Sequence, residues 1–345
     1  MTELRIDLAR LRANVRAVAE RVAPAALLVV VKDDAYGHGV EPVVAAALDE
    51  RVSWFGAIDV PSAARAKAAA GERARVFCWA TLPEEAVAGA LDAGLELGVG
   101  DAGYLERVAR IASGRGAAAP VHLKIDTGLH RNGVRPEEWP SFTARAAALE
   151  RDGAIRVVGL WSHISEASDA EDDLSRAVFE EAGRVALDAG LRPDVRHLAA
   201  SAAAWHRPAF RGDLVRIGAF CYGVRSAGDD DIPGVAPAAS LVADVVGIGA
   251  EGVEIGVGWL DGVFSTLAGR IEVGTPAGAR TLLDVAETTS TVASWPGAAV
   301  GDKVVVFGPG TTGEWTPTSV GEAAGTVGEE PLLRLSPLIP RVHVD

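Results

Sequence analysis

Eight short β-prone runs separated by stretches of helical spacing constrain the fold of this 345-residue chain more than any other feature. The runs fall at 27–32 (LLVVVK), 54–59 (WFGAID), 75–80 (RVFCWA), 95–99 (LELGV), 121–126 (VHLKID), 156–163 (RVVGLWSH), 195–201 (VRHLAAS) and 214–222 (LVRIGAFCY). Between them lie Ala/Arg/Glu-rich stretches at 60–70, 83–93, 101–113, 137–151 and 171–190. Gly71, Gly94, Gly114, Gly153 and Gly190 stand near the ends of these stretches, where C-caps are expected. Eight strands alternating with helical stretches is the pattern of an α/β protein built as a (β/α)8 TIM-type barrel. A doubly wound sheet gives the same beat, but no G-x-G-x-x-G follows the first run, so the barrel is the expectation.

After Gly223 the texture changes. The stretch 226–237 (SAGDDDIPGVAP) reads as a linker or long turn. Short β-prone runs with turn signals follow at 239–248, 253–258, 270–273, 280–286, 289–294 and 302–307, with no helical pattern before 318–324. The chain therefore divides into a barrel, 1–232, and a smaller, mostly-β C-terminal domain, 233–345, with the first ten or so residues free to pair with the latter. A domain of that size suits closure of the barrel mouth or a subunit contact better than a second enzyme.

The formal charge of −14 argues against a nucleic-acid or anionic-membrane partner. Cys78 and Cys221 sit in apolar, strand-like runs and are expected as buried free thiols rather than a disulfide. The N-terminus alternates charged with apolar residues, and no segment approaches the roughly 18 apolar residues needed to span a bilayer, so a cytoplasmic protein is expected.

In a (β/α)8 barrel, chemistry sits at the C-terminal ends of the strands. The residues singled out there are Lys32 and Tyr36 after the first run, Asp126 and Arg131 after the fifth, His163 after the sixth, Ser201 after the seventh, and Arg216 with Gly218 at the eighth. A lysine delivered at the exit of an apolar strand suits Schiff-base chemistry, because a desolvated amine is an effective nucleophile toward an aldehyde. Asp126, in the tight DTG turn, is expected to bond backbone. No metal-ligand spacing is present.

The segments VVKDDAYGHG (30–39), HLKIDTGLHRNGV (122–134), GLWSH (159–163), HLAASAA (197–203), DLVRIGAFCYGV (213–224) and RLSPLIPRV (334–342) resemble those of the alanine racemase family of fold-type III enzymes, in the family's order. The resemblance implies pyridoxal 5'-phosphate as cofactor, an amino-acid substrate and a homodimer. It implies Lys32 as Schiff-base lysine and base for one face of Cα, Tyr36 and Ser201 with the backbone of Gly218 and Ala219 at the phosphate, and Arg131 at the phenolic oxygen. His163 would lie beside the ring, and Lys124 matches a lysine that is carbamylated in many members to brace the arginine. Arg216 would face the pyridine nitrogen. A permanently protonated donor there keeps the ring a weak electron sink, which suits racemisation better than decarboxylation.

Departures from the family pattern bear on the reaction. Alanine racemases open the second domain with a loop carrying a tyrosine that serves the opposite face of Cα. Here that loop has shrunk to about GIGAEG, and the chain's three tyrosines, Tyr36, Tyr104 and Tyr222, all precede it. GVGWLDG (256–262) places Trp259 where the family has Tyr, and VAETTSTV (285–292) replaces a Met-Asp motif. Ala200 stands for Asn before Ser201, and Asp33 for a usual alanine. The reading that follows is an atypical pyridoxal-phosphate-dependent amino-acid racemase, with His163, Glu287 or water as stand-in for the second base. The alternatives are another pyridoxal-phosphate reaction, decarboxylation or elimination, or a protein that holds the cofactor without turnover. The cysteine expected in a fold-type III decarboxylase's second domain is absent, which weighs against that branch.

Overall fold

A computed structural model describes residues 2–198, 201–226, 228 and 230–345. Ala199 and Ala200 of the HLAASAA segment, with the expected Asn-to-Ala departure, and Ala227 and Asp229 of the 226–237 stretch lie outside the described residues. The chain packs as two compact units. One comprises Val18–Lys32 and Ala47–Gly218, the other Met1–Ala17, Asp33–Ala46 and Ala219–Asp345. The expected boundary at 232/233 falls inside the latter unit, because Val224 is part of its apolar core.

After an initial strand β1 (Glu3–Asp7), eight strands build the barrel unit: β2 (Ala26–Val30), β3 (Trp54–Ala57), β4 (Arg75–Cys78), β5 (Glu96–Val99), β6 (Ala119–Lys124), β7 (Ile155–Trp161), β8 (Val195–His197) and β9 (Leu214–Ile217). All are parallel, in the spatial order β8-β7-β6-β5-β4-β3-β2-β9. Two bonds bridge the remaining seam: Asp213 N–H donates to the Arg196 carbonyl at 3.1 Å, and Arg196 N–H to the Asp213 carboxylate at 2.8 Å. The seam closes the eight-stranded (β/α)8 architecture that the alternation predicts. The last two strands end earlier than their apolar runs, since Ser201 already begins the helix Ser201–His206 and Ala219 the 3-10 turn Ala219–Tyr222.

Helix starts are set by side-chain caps. Asp59 accepts from Ser62 N–H at 2.7 Å and Asp101 from Tyr104 N–H at 2.7 Å, each satisfying an amide the helix leaves without a partner. Four of the five expected terminal glycines take positive φ; at Gly114 φ is −62°, and the reversal occurs at Gly116 instead.

Alternate strand residues point inward. The interior ring system is Phe77, His122, Trp161 and His197, with Phe77 centred 4.5 Å from His122, 5.1 Å from Trp161 and 5.3 Å from His197. Facing positions are kept small to admit it. A Cβ on Gly159 would lie 2.0 Å from His122 Nδ1, and one on Gly98 would lie 3.0 Å from Trp161 and 3.1 Å from Phe77.

The other unit is a sheet of eight strands: β1, β10 (Ala239–Ile248), β11 (Val253–Ile255), β12 (Glu272–Thr275), β13 (Gly278–Val285), β14 (Ser290–Val292), β15 (Lys303–Phe307) and β16 (Arg341–Val344). Their order is β11-β14-β13-β12-β15-β10-β1-β16, antiparallel except for β1 beside β16. Alternating residues of β1 and β10 (Leu4, Ile6, Leu241, Ala243, Val245) bury one face with Val253, Ile255, Val304 and Val306. Strands β10 and β11 are joined by a tight turn in which Gly249 N–H donates to the Gly252 carbonyl at 2.9 Å. Cys78 and Cys221 are buried free thiols, and among the described residues no helix is long and apolar enough to cross a membrane.

Replacing Gly159 by alanine tests the interior packing. The added methyl must displace a fully buried imidazole, so Gly159→Ala should cost roughly 1–3 kcal/mol in chemical denaturation. An unchanged midpoint would mean that His122 does not fill the interior as described.

Candidate active site

Only Val31 separates Lys32 from β2, where the apolar run Leu27–Val31 emerges from the barrel. The chain then makes a left-handed turn: Asp33, Asp34, Ala35 and Tyr36 all have φ of 54–55°. Such a run costs roughly 1–2 kcal/mol per non-glycine residue and persists only where it is braced. Gly37 N–H donates to the Asp33 carbonyl at 3.0 Å and Gly39 N–H to the Asp34 carbonyl at 2.9 Å. His38 Nδ1 lies 3.0 Å from the carbonyls of both Ala35 and Tyr36, so Nδ1 carries the proton and ties the turn. Burial pushes the His38 imidazole down to about 4. Tyr36 and Ala219 belong to the same unit as His38. Tyr36 is buried with its ring centroid 4.9 Å from that of Tyr222, and its phenol is pushed well up, first by burial and then by Glu329.

In the barrel unit, Lys124, Arg131, His163, Arg216 and Lys32 share one electrostatic neighbourhood. His163 is held down to about 3, first by burial and then by Arg216, Arg131, Lys124 and Lys32 in turn. Burial, with Arg131 and Arg216 behind it, pushes the Lys124 amine down to about 8. The Trp161 ring lies under two of these cations, with Lys124 Nζ 4.4 Å and Arg216 Cζ 5.3 Å from its centroid. Asp126 is structural, as expected: its carboxylate accepts from the amides of Gly128 and His130 and from His130 Nδ1 at 2.8 Å. Those bonds outweigh its burial and hold it below the usual carboxylate range.

Arg216 is buried and bonded entirely within the protein. Nη1 donates to His197 Nδ1 at 2.9 Å and to the His197 carbonyl at 3.0 Å. Nη2 donates to the carbonyls of Ser162 (2.8 Å) and Leu198 (3.1 Å) and lies 3.3 Å from His163 Nδ1. Every one of these partners is neutral, and no carboxylate lies within ion-pair distance of Arg216 among the described residues. Burial, then Arg131, bring it down to about 9, so it stays protonated at neutral pH. Ser201 opens the short helix after β8, and Gly218 follows β9 ahead of the Ala219–Tyr222 turn.

Sequence reasoning passed over the residues behind Arg216. His197 Nε2 lies 2.9 Å from His122 Nδ1, and His122 Nε2 lies 2.7 Å from Glu96 Oε2. Glu96 also accepts from Arg75 Nε, and from Arg75 Nη2 at 3.0 Å. The signal was present in the strand period: Glu96, His122, His197 and Arg216 each occupy an inward position of a barrel strand, and His122 shares its face with Lys124. The three fold-type-typical elements are now together: a barrel, a lysine at the exit of its first barrel strand, and a cation-rich end with a buried arginine at the last. They are the arrangement that the resemblance to fold-type III pyridoxal-phosphate enzymes implies.

Comparison with known proteins agrees. Residues 6–226 match the family described as alanine racemase, N-terminal domain. The alanine racemase of Thermobifida fusca (strain YX) is 34% identical over 99% of this chain and 97% of its own length, and that of Beutenbergia cavernae 36% identical over 98% and 97%. The solved alanine racemase of Streptomyces coelicolor A3(2) superposes with a TM-score of 0.93 at 33% identity, covering 100% of this chain and 98% of that one. The chain belongs to the alanine racemase family, and its cofactor is pyridoxal 5'-phosphate. The aligned span with the Thermobifida relative is 373 positions against 345 residues here, so the relative carries stretches with no counterpart in this chain.

The buried histidines make stability pH-dependent. His38, His122 and His197 are neutral in the folded protein, with burial as the first cause in each case, whereas unfolded histidines take up a proton near 6.5. The unfolded state therefore binds more protons below pH 6.5, and stability falls as pH is lowered, by up to about 1.4 kcal/mol per pH unit for each group. The apparent Tm should drop between pH 7.5 and 5; a flat profile would contradict the neutral assignments.

Proposed function

We propose that this protein is a pyridoxal-phosphate-dependent amino-acid racemase in which Lys32 serves one face of Cα. One observation carries the reading: Lys32, Lys124, Arg131 and Arg216 converge on a neutral His163 in a chain of net charge −14, and Arg216 has no carboxylate partner among the described residues. Such a cradle fits an anionic group with a ring acceptor, a phenolate and a phosphate.

Lys32 would hold the cofactor covalently. The Nη groups of Arg216 are occupied by protein acceptors, which leaves Nε–H to donate to the ring nitrogen. Arg131 would bind the phenolic oxygen, and Ser201, Tyr36 and the backbone of Gly218 and Ala219 the phosphate. Bound pyridoxal phosphate supplies the electron sink that acidifies the Cα proton of an amino acid. Lys32 takes and returns that proton on its own side. His163 accepts at Nδ1 from Arg216 and so presents Nε2–H; at neutral pH it acts as a donor beside the ring rather than a base. The Lys124 amine, pushed down to about 8, is neutral in a useful fraction under working conditions, which favours carbamylation there.

The opposite face is where the family resemblance implies a second-domain tyrosine. The β10–β11 connection is the turn at Gly249–Gly252, and Tyr36, Tyr104 and Tyr222 are all buried. That observation favours a second reading, in which Lys32 alone exchanges the proton on one face.

Proton NMR in D2O on cofactor-loaded protein, with both enantiomers of a panel of amino acids, separates the two. Racemisation predicts loss of the Cα signal together with interconversion of the enantiomers, at any rate above the uncatalysed background. Exchange with full retention of configuration would overturn it in favour of one-face chemistry, and new products would point to elimination or decarboxylation. Lys32→Ala should remove the visible absorption of the bound cofactor and all exchange.

A further inference from the structure

Behind Arg216, a chain of hydrogen bonds crosses the barrel interior, and its direction follows from elementary donor and acceptor chemistry. A guanidinium only donates. His197 Nδ1, 2.9 Å from Arg216 Nη1, is therefore an acceptor, and the His197 proton sits on Nε2. That N–H points at His122 Nδ1, 2.9 Å away, which makes His122 an acceptor there and puts its proton on Nε2 as well. His122 Nε2–H then donates to Glu96 Oε2 at 2.7 Å. Hydrogen bonds from His122 and Arg75 overcome the effect of burial and hold the Glu96 carboxyl below its usual range, so an ionised, acceptor-only group ends the chain. Four groups agree on one polarity. Reversing any internal link sets two donors or two acceptors against each other.

The surroundings enforce this arrangement. His122 and His197 are fully buried, so neither proton can be handed to water. Gly159 leaves the space His122 Nδ1 occupies. At the far end Arg75 pairs with Glu96, donates to Asp194 at 3.2 Å and lies 4.2 Å over Trp54, which fixes the carboxylate in turn.

We propose that Glu96 is a positioning residue for Arg216: by absorbing the last donor of the His197–His122 chain, it holds both histidines in the Nε2–H form and keeps Arg216 aimed, with Nε–H left for the cofactor's ring nitrogen. The part concerning the ring nitrogen rests on the function proposed above; the chain itself does not. In a Glu96→Gln variant the amide has a single acceptor oxygen for two donors, Arg75 and His122. If its NH2 meets His122, the His122 proton must move to Nδ1, the His197 proton follows, and His197 Nδ1–H confronts Arg216.

The test compares wild type with E96Q in two measurements. The first is 15N NMR of histidine-labelled protein without added cofactor, which separates protonated from bare ring nitrogens. The second is titration with pyridoxal phosphate, followed by its visible absorption. In wild type, two histidines should show Nε2–H with slowly exchanging protons. In E96Q these signatures should be lost or mixed, and the Kd for pyridoxal phosphate should rise roughly tenfold, as expected for one displaced buried, charge-assisted hydrogen bond. An E96Q protein of lower Tm with unchanged tautomers and Kd would overturn the proposal and leave Glu96 as a structural ion pair. Changed tautomers with an unchanged Kd would overturn its role toward the cofactor. Wild-type protein that binds no pyridoxal phosphate would overturn the proposed function, while the tautomer comparison would still decide the chain. Should E96Q fail to fold, Glu96→Asp keeps the charge but withdraws the carboxylate from His122; the Nε2–H signatures must weaken there too, and their persistence would sink the idea.

Discussion

The barrel unit is organised around a guanidinium buried without an ion-pair partner among the described residues. Taking a cation out of water is costly unless its donors are all met. Arg216 meets that demand with three carbonyls and two imidazoles rather than with a carboxylate. The choice has consequences throughout the interior. The imidazoles must be neutral to accept, and neutral histidines each leave one N–H to satisfy deeper in the barrel. The demand is passed to His122 and discharged at Glu96, which in turn needs Arg75. The charge that would ordinarily sit beside Arg216 has been moved across the barrel. The end that faces the site stays net positive and ready for an anionic ligand.

The same logic explains where the small residues fall. Two imidazoles, an indole and a phenyl ring cannot share a barrel interior unless facing strands supply no side chain. Gly98 and Gly159 are those positions, and an added Cβ at either would intrude on a ring. The glycines of LELGV and GLWSH thus support the polar chain without any chemistry of their own.

Much of this was legible from the sequence, and the rest was not, for physical reasons. The eight-fold alternation fixes the barrel because a strand period of two and a helix period of 3.6 leave strong, local marks. Lys32, His163 and Arg216 stand where apolar runs end, so they were visible as strand-exit residues, whereas Lys124 was reached through the family resemblance. Glu96 and His122 stand at or near the start of their runs, where a polar residue usually means solvent; only closure of the sheet turns those positions toward a shared interior. The left-handed turn at Asp33–Tyr36 was invisible for a different reason. No residue there is a glycine, and the turn is held by His38 reaching back to two carbonyls, a contact no local propensity records. The chain ends, β1 and β16, pair in parallel across nearly the whole sequence, which is long-range information by construction.

Two features of this chain bear on reaction type, and they act on different steps. A guanidinium that remains protonated at neutral pH cannot readily allow a ring nitrogen it faces to be protonated too, so the electron sink it creates is weak and any Cα carbanion is short-lived. A short-lived carbanion must be reprotonated at once by whatever acid is nearest. In a site with acids on both faces, that requirement produces racemisation. In a site with Lys32 alone, it produces return of the proton to the face it left. In the proposed reading, the protonated arginine favours proton transfer at Cα, and the tight turn at Gly249–Gly252 points to a second donor other than a second-domain tyrosine. His163, with Nε2–H turned away from Arg216, is a hydrogen-bond donor at that end of the barrel. Its depressed basicity reflects burial first and then the four cations around it.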